Sequence, residues 1–125
     1  MILVDTNIFL EILLSQGKNE KCKLFLAENS GSINISDFTL HSIGVILLKL
    51  KAEQTFLQFI SDILPNIHIL SLPKDKYNEI INIKSKYNLD FDDCYQYCIC
   101  KNYNLELITL DQDFKKVSGI RIQFL

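Results

Sequence analysis

A chain of 125 residues, 48% of them apolar, can bury a continuous core without crosslinks and is expected to fold as a single domain over residues 1–125. That composition excludes a disordered or low-complexity polypeptide. A formal charge of −2 excludes a protein held on nucleic acid by its overall field, while leaving room for a local basic groove.

The opening run Ile2-Leu3-Val4 is unbroken and apolar, the pattern of a central parallel strand covered on both faces. It ends on an acid. Asp5-Thr6-Asn7 then offers capping groups to a helix through Ile8 to Leu14, so strand passes almost directly into helix. A second helix is expected from about Glu20 to Glu28, with Cys22, Phe25 and Leu26 inward, and Asn29 to Ser32 forms a turn. Ile33-Asn34-Ile35 alternates and predicts a short strand nearer an edge.

Ser36-Asp37 caps a helix from Phe38 to Leu50 that is apolar on nearly every side. Such a helix is expected to be covered on more than one side, by the sheet and by a second subunit. Lys51 to Leu64 predicts the next helix, with Phe56, Leu57, Phe59, Ile60, Ile63 and Leu64 inward and Pro65 as its stop. Asn66 to Leu70 reads as the third strand, and Pro73 opens a helix running to about Tyr87. A helix from Phe91 to Asn102, a strand at Glu106 to Thr109 and a last short strand at Ile120 to Ile122 complete the chain.

Strands separated by helices predict an α/β fold: a parallel sheet with right-handed crossovers and helices on both faces. Sites in such folds lie beyond the carboxyl ends of the strands. Asp5 and Asp111 each follow a strand immediately, and Asp93 sits at the start of a helix whose amino end points at the same rim. One of Asp90 and Asp92 is expected to cap that helix. Capping explains one acid of this group and not three that repel one another, so Asp93 is the preferred cation ligand. Asp111 and Asp113, two apart, either reach the rim together or form an Asx turn.

Carboxylates gathered from distant segments suit a hard divalent cation, and oxygen-only ligands select Mg2+ or Mn2+ over zinc. The chemistry implied is metal-assisted hydrolysis of a phosphodiester. No competing nucleophile stands out: His41 and His68 read as structural, and no glycine-rich phosphate loop occurs. The four cysteines, at 22, 94, 98 and 100, fit neither a zinc knuckle nor a paired redox motif. With no leader and no apolar run long enough to cross a membrane, a reducing cytoplasm and no membrane association are expected.

The segments ILVDTNIFL, ISDFTLHSIGVIL and LDFDDCYQYCICKNYNLELITLDQDF, followed by the short terminal strand, together resemble a PIN domain, and specifically the toxin ribonucleases of the VapC type. The likeness spans essentially the whole chain. It implies a three-layer α/β/α sandwich with a short-stranded, mainly parallel sheet. Asp5, Asp93 and Asp111 are then the catalytic, metal-binding acids. Asp113 completes a TxDxDF pattern, and Asn7 and Thr109 match polar residues beside the acids. The resemblance further implies endonucleolytic cleavage of RNA with Mg2+ or Mn2+, a homodimer, and silencing by a cognate antitoxin protein.

One position departs from that pattern. A glutamate early in the third helix is the usual second acid, and counting from Ser36 its place is taken by Ser42, preceded by His41. Serine can hold a water and histidine can position phosphate, but neither restores the charge. The alternatives are therefore a catalytically impaired PIN-like module that binds RNA or protein, or a nuclease of the same fold with a role other than toxin.

Overall fold

A computed structural model describes residues 1–125. Five strands form one sheet in the order β3-β2-β1-β4-β5, with β1 at Ile2–Val4, β2 at Ile33–Ser36, β3 at His68–Leu70, β4 at Glu106–Thr109 and β5 at Ile122–Phe124. All four pairings are parallel, so every connection must carry a crossover. The helices α1 (Thr6–Leu13) and α2 (Asn19–Glu28), α3 (Asp37–Lys49) and α4 (Glu53–Gln58), and α5 (Asn78–Tyr87) and α6 (Phe91–Tyr103) supply the first three, while β4 reaches β5 through a 3-10 turn at Gln112–Lys116.

The pleat sorts alternate residues into two cores. Leu3 and Leu107 join Leu72, Ile80, Cys98 and Ile99 beneath α5 and α6. Ile2, Val4 and Ile108 join Ile8, Phe9, Ile43, Leu47 and Phe59 beneath α1, α3 and α4. Helices thus cover both faces of the sheet, giving three layers. Fully buried Phe9, whose ring meets that of Phe59 edge-on at 5.7 Å, contributes about 1.5–3 kcal/mol by burial alone.

Several details differ from the sequence expectations. The second strand is interior, flanked by β1 and β3, because the polar residue in its middle is satisfied within the sheet: Asn34 Nδ2 donates to Ile2 O at 3.0 Å. His68 stands exposed on the edge strand. The helix expected over residues 51–64 instead begins at Glu53 and widens into a π turn at Phe59–Ile63 before the short 3-10 turn at Leu64–Asn66. Leu57, in α4, is 54% exposed and Ile60, in the widened turn, 39%, so neither faces inward as expected. The last strand lies two residues further on than expected, at Ile122–Phe124. In α3, Thr39, Ile43 and Leu47 are buried while Val45 and Leu48 stay exposed.

The turn before β5 depends on glycine. Gly119 adopts a φ of +91°, and a Cβ there would come within 2.6 Å of Tyr97 Oη, which donates to Ser118 O at 2.9 Å. Gly119→Ala is expected to cost about 1–3 kcal/mol from backbone strain and the displaced hydroxyl. Urea denaturation measures this; an unchanged midpoint would show that the turn yields freely.

The chain runs from β1 outward through β2 to β3, then returns to β4 and β5 on the other side. The order reverses between β1 and β4, and such a reversal opens a crevice at the carboxyl ends of the strands. Asp5 and Asp111 lie there.

Candidate metal centre

Asp5 is pinned before its side chain does anything. Its backbone N–H donates to Ile108 O at 2.9 Å, extending the ladder between β1 and β4 by one residue. The carboxylate caps α1, Oδ1 accepting from Thr6 N at 2.8 Å and from Gln96 Nε2 at 3.1 Å. Oδ2 accepts from Thr109 Oγ1 at 2.7 Å and from Asn7 Nδ2 at 3.3 Å. Burial raises its pKa; donors from Thr109, Gln96 and Thr6 oppose that rise, and the Asp111 charge adds to it.

Asp93 is treated differently. It occupies the first turn of α6 and is 8% exposed, yet only desolvation and neighbouring acids act on its carboxylate, and no group of the protein donates to it. Burial first, then the charges of Asp92, Asp111, Asp5 and Asp113, push its pKa up to about 7. A largely buried carboxylate that receives no donor and sits among other acids is unstable as an anion unless something positive joins it.

Asp111 ends β4 and caps a 3-10 turn at Gln112–Lys116: its Oδ1 accepts from Asp113 N at 2.9 Å and its own N–H donates to Thr109 Oγ1 at 3.0 Å. The turn is anchored by Phe114, which is 1% exposed. This fold-back carries Asp113 toward α6, so that one carboxylate oxygen from each of Asp93, Asp111 and Asp113 lies within 4.8 Å of the others. Asp5, Asn7, Ser42, Asp92, Asp93 and Asp111 are among the residues lining one cleft of about 250 Å³. No lysine, arginine or histidine lines it.

The structure therefore brings Asp5, Asp93 and Asp111 to one cleft, with Asp113 exposed at its edge within reach of two of them. Thr109 and Asn7 tie the acids to the fold: Asn7 bridges to Thr109 Oγ1 at 3.3 Å and accepts from Leu110 N at 3.2 Å. Ser42 lines the cleft and is half-buried. His41 does not join it. One residue earlier on α3, it is turned about 100° around the helix onto an exposed apolar groove with Val45, Leu48, Phe56 and Ile60. Asp90 precedes α6 but makes no side-chain capping bond, while Asp92 lines the cleft.

Sequence reasoning missed Gln96. It lies three residues after Asp93, a spacing that places both on one helix face, and it is 1% exposed. Its Nε2 donates to Thr39 Oγ1 at 2.9 Å as well as to Asp5. Thr39 meets Thr6 Oγ1 at 2.9 Å and Ser36 Oγ at 3.3 Å, so a buried polar chain links the ends of β1, β2 and α6. The donor set offered to a ligand is all oxygen, mostly carboxylate, and includes an acceptor no protein group satisfies. That fits a hard divalent cation.

The PIN domain model matches residues 2–120. No curated protein sequence matches the chain. Among solved structures, similarity extends to a toxin–antitoxin complex from Klebsiella pneumoniae, with 25% identity, 96% of this chain and 95% of that one covered, and a TM-score of 0.77. FitAcB from Neisseria gonorrhoeae is similar over 100% of this chain and 97% of that one, at 25% identity and a TM-score of 0.75. VapC20 from Mycobacterium tuberculosis, a toxin that cleaves the sarcin-ricin loop, shares the fold at 12% identity, with 98% and 99% covered and a TM-score of 0.82.

Proposed function

This chain belongs to the PIN-domain family, and from that premise we propose that it is a divalent-metal-dependent endoribonuclease, the toxin of a toxin–antitoxin pair acting in the cytoplasm. One observation carries the proposal: Asp5, Asp93 and Asp111, the outer two more than a hundred positions apart in the chain, line a single cleft with no cation of the protein's own. Similarity to the Klebsiella and Neisseria structures supports the toxin role.

Asp93 and Asp111, with Asp5 behind them and Asp113 at the edge, are the residues that would hold the metal. Mg2+ or Mn2+ supplies a water acidic enough to attack phosphorus at neutral pH and positive charge beside the phosphate. The protein's own part is orientation. Four donors fix both oxygens of Asp5, so its direction is set before any ligand arrives. Asp93 keeps its lone pairs uncommitted, and the Asp111 turn holds one oxygen while leaving the other available.

RNA is the substrate that fits the family and the acid set. Lys115 and Lys116 come after Asp113, beyond Phe114, and are exposed; Lys115 is available to phosphates of a bound strand, and Lys116 donates to Asn88 O at 3.3 Å. A homodimer and a cognate antitoxin would cover the exposed apolar residues Val45, Leu48, Leu50, Leu57 and Ile60. No helix is long and apolar enough to cross a membrane.

A second reading, a PIN-like module that binds RNA or protein without hydrolysis, is favoured by one observation: α3 presents the neutral Ser42 to the cleft and no acid. Cleavage separates the two. Incubated with single-stranded RNA, the protein is expected to cut internally in Mg2+ or Mn2+, to stop in chelator and to resume when metal is restored. Intact RNA in every metal tested would leave the binding module.

A further inference from the structure

Gln96 Oε1 stands apart among the polar atoms of the chain. It is the buried side-chain oxygen without a hydrogen-bond partner, and leaving a buried acceptor unpaired is destabilising. Replacing the side chain by an apolar one of similar size would remove that cost, so its presence calls for a ligand. The residue lines the acid cleft, and its amide cannot simply turn over to relieve the oxygen, because Nε2 already serves Asp5 Oδ1 and Thr39 Oγ1. A flipped amide would set an oxygen against the Asp5 carboxylate.

The opposite wall sharpens the point. Across the cleft α3 offers the Ser42 hydroxyl, a weak contributor to a cation site. Of the groups around the acids, Gln96 alone combines a bond to one carboxylate with an uncommitted buried oxygen. Amide carbonyls are ordinary ligands of hard divalent cations and ordinary acceptors for the water around them.

We propose that Gln96 is a positioning residue of the divalent-cation site, its Nε2 aiming Asp5 and its Oε1 adding a neutral oxygen to the surroundings of the ion. The inference rests on the metal-site reading given above. It assigns to α6 two residues one turn apart, Asp93 and Gln96, that act on the same cation from the same helix face.

The test is calorimetric titration of the metal-free chain with Mn2+ alone, comparing native protein, Gln96→Met and Gln96→Glu, with the melting temperature of each metal-free protein read in parallel. Methionine keeps length and removes both polar atoms; Mn2+ affinity is expected to fall about 10- to 100-fold, the range for lost outer-shell support. Glutamate keeps an oxygen and adds charge. It is expected to lower the metal-free melting temperature, by adding another acid to the cluster, and to bind Mn2+ at least as tightly as the native chain in mildly alkaline buffer.

If Gln96 merely braces Asp5, both variants lose Mn2+ affinity alike, and the oxygen-donor role is overturned. Native-like affinity in Gln96→Met overturns the inference while leaving the metal site standing. A native chain that takes up no Mn2+ overturns both. Should Gln96→Met fail to fold, the comparison of Gln96→Glu with the native chain still decides the sign.

Discussion

Asp93→Asn is expected to reduce metal-dependent RNA cleavage by on the order of a hundredfold or more while stabilising the metal-free protein at neutral pH. The loss follows from removing the acceptor that no protein group satisfies; losing an outer-shell partner already costs about 10- to 100-fold in such sites, and a ligand costs at least as much. The gain has a separate cause. Asp93 is buried beside Asp92, Asp111 and Asp5, and its pKa is raised from 3.8 to about 7, so near neutrality the folded state carries an anion it holds less readily than the unfolded chain does. Asparagine removes that burden. Cleavage rates and melting curves on the same two preparations test both halves: a variant as active as the native chain would remove Asp93 from the chemistry, and a variant less stable without metal would show that its carboxylate is a structural support.

The second large effect is a reversal of pH dependence when metal is added. For a group whose folded pKa is raised, the folded state binds more protons than the unfolded state between the two values, and stability falls as pH rises through that interval. Asp93 therefore makes the metal-free protein lose stability between about pH 3.8 and about pH 7. Asp5, also raised by burial, acts in the same direction. Cation binding requires the deprotonated acids, so its stabilisation grows over the same interval. At Mn2+ a hundredfold above its dissociation constant, linkage gives about 2.7 kcal/mol, or roughly 8–15 °C in melting temperature for a chain of this size. The shift is expected to be small at pH 5 or thereabouts and full above pH 7. A Mn2+ shift of equal size across the range would contradict metal capture by these acids.

Much of the frame was legible because its signals are local. Ile2-Leu3-Val4 and Leu107-Ile108 each alternate between two buried faces, and a run apolar at every position has that meaning in a parallel sheet. The strand and helix ends that carry Asp5, Asp93 and Asp111 could be placed from the order of elements alone, since parallel topology sends all carboxyl ends to one rim. Asn34 misled because its partner, Ile2 O, lies 32 residues away on another strand; polar residues look like edges until that partner is known. The helix expected over residues 51–64 gives way to a π turn at Phe59–Ile63, an extra residue per turn that periodicity at 3.6 does not anticipate.

Within the site, the same distinction holds. Asp113 reaches Asp93 because a 3-10 turn anchored by Phe114 folds back, and the spacing of two from Asp111 left either outcome open. His41 and Ser42 are adjacent in sequence and occupy different surfaces of α3. Gln96 carries the Asp5 bond across 91 residues, a relation that no spacing in the chain encodes; its only local trace is the three-residue offset from Asp93.

Crystals grown with Mn2+ and measured at the manganese absorption edge test the metal centre most directly. The expected result is an anomalous peak inside the cleft, within bonding distance of carboxylate oxygens of Asp93 and Asp111 and removed by Asp93→Asn. A cleft without a peak at saturating Mn2+, or a peak bound elsewhere on the molecule, would contradict it.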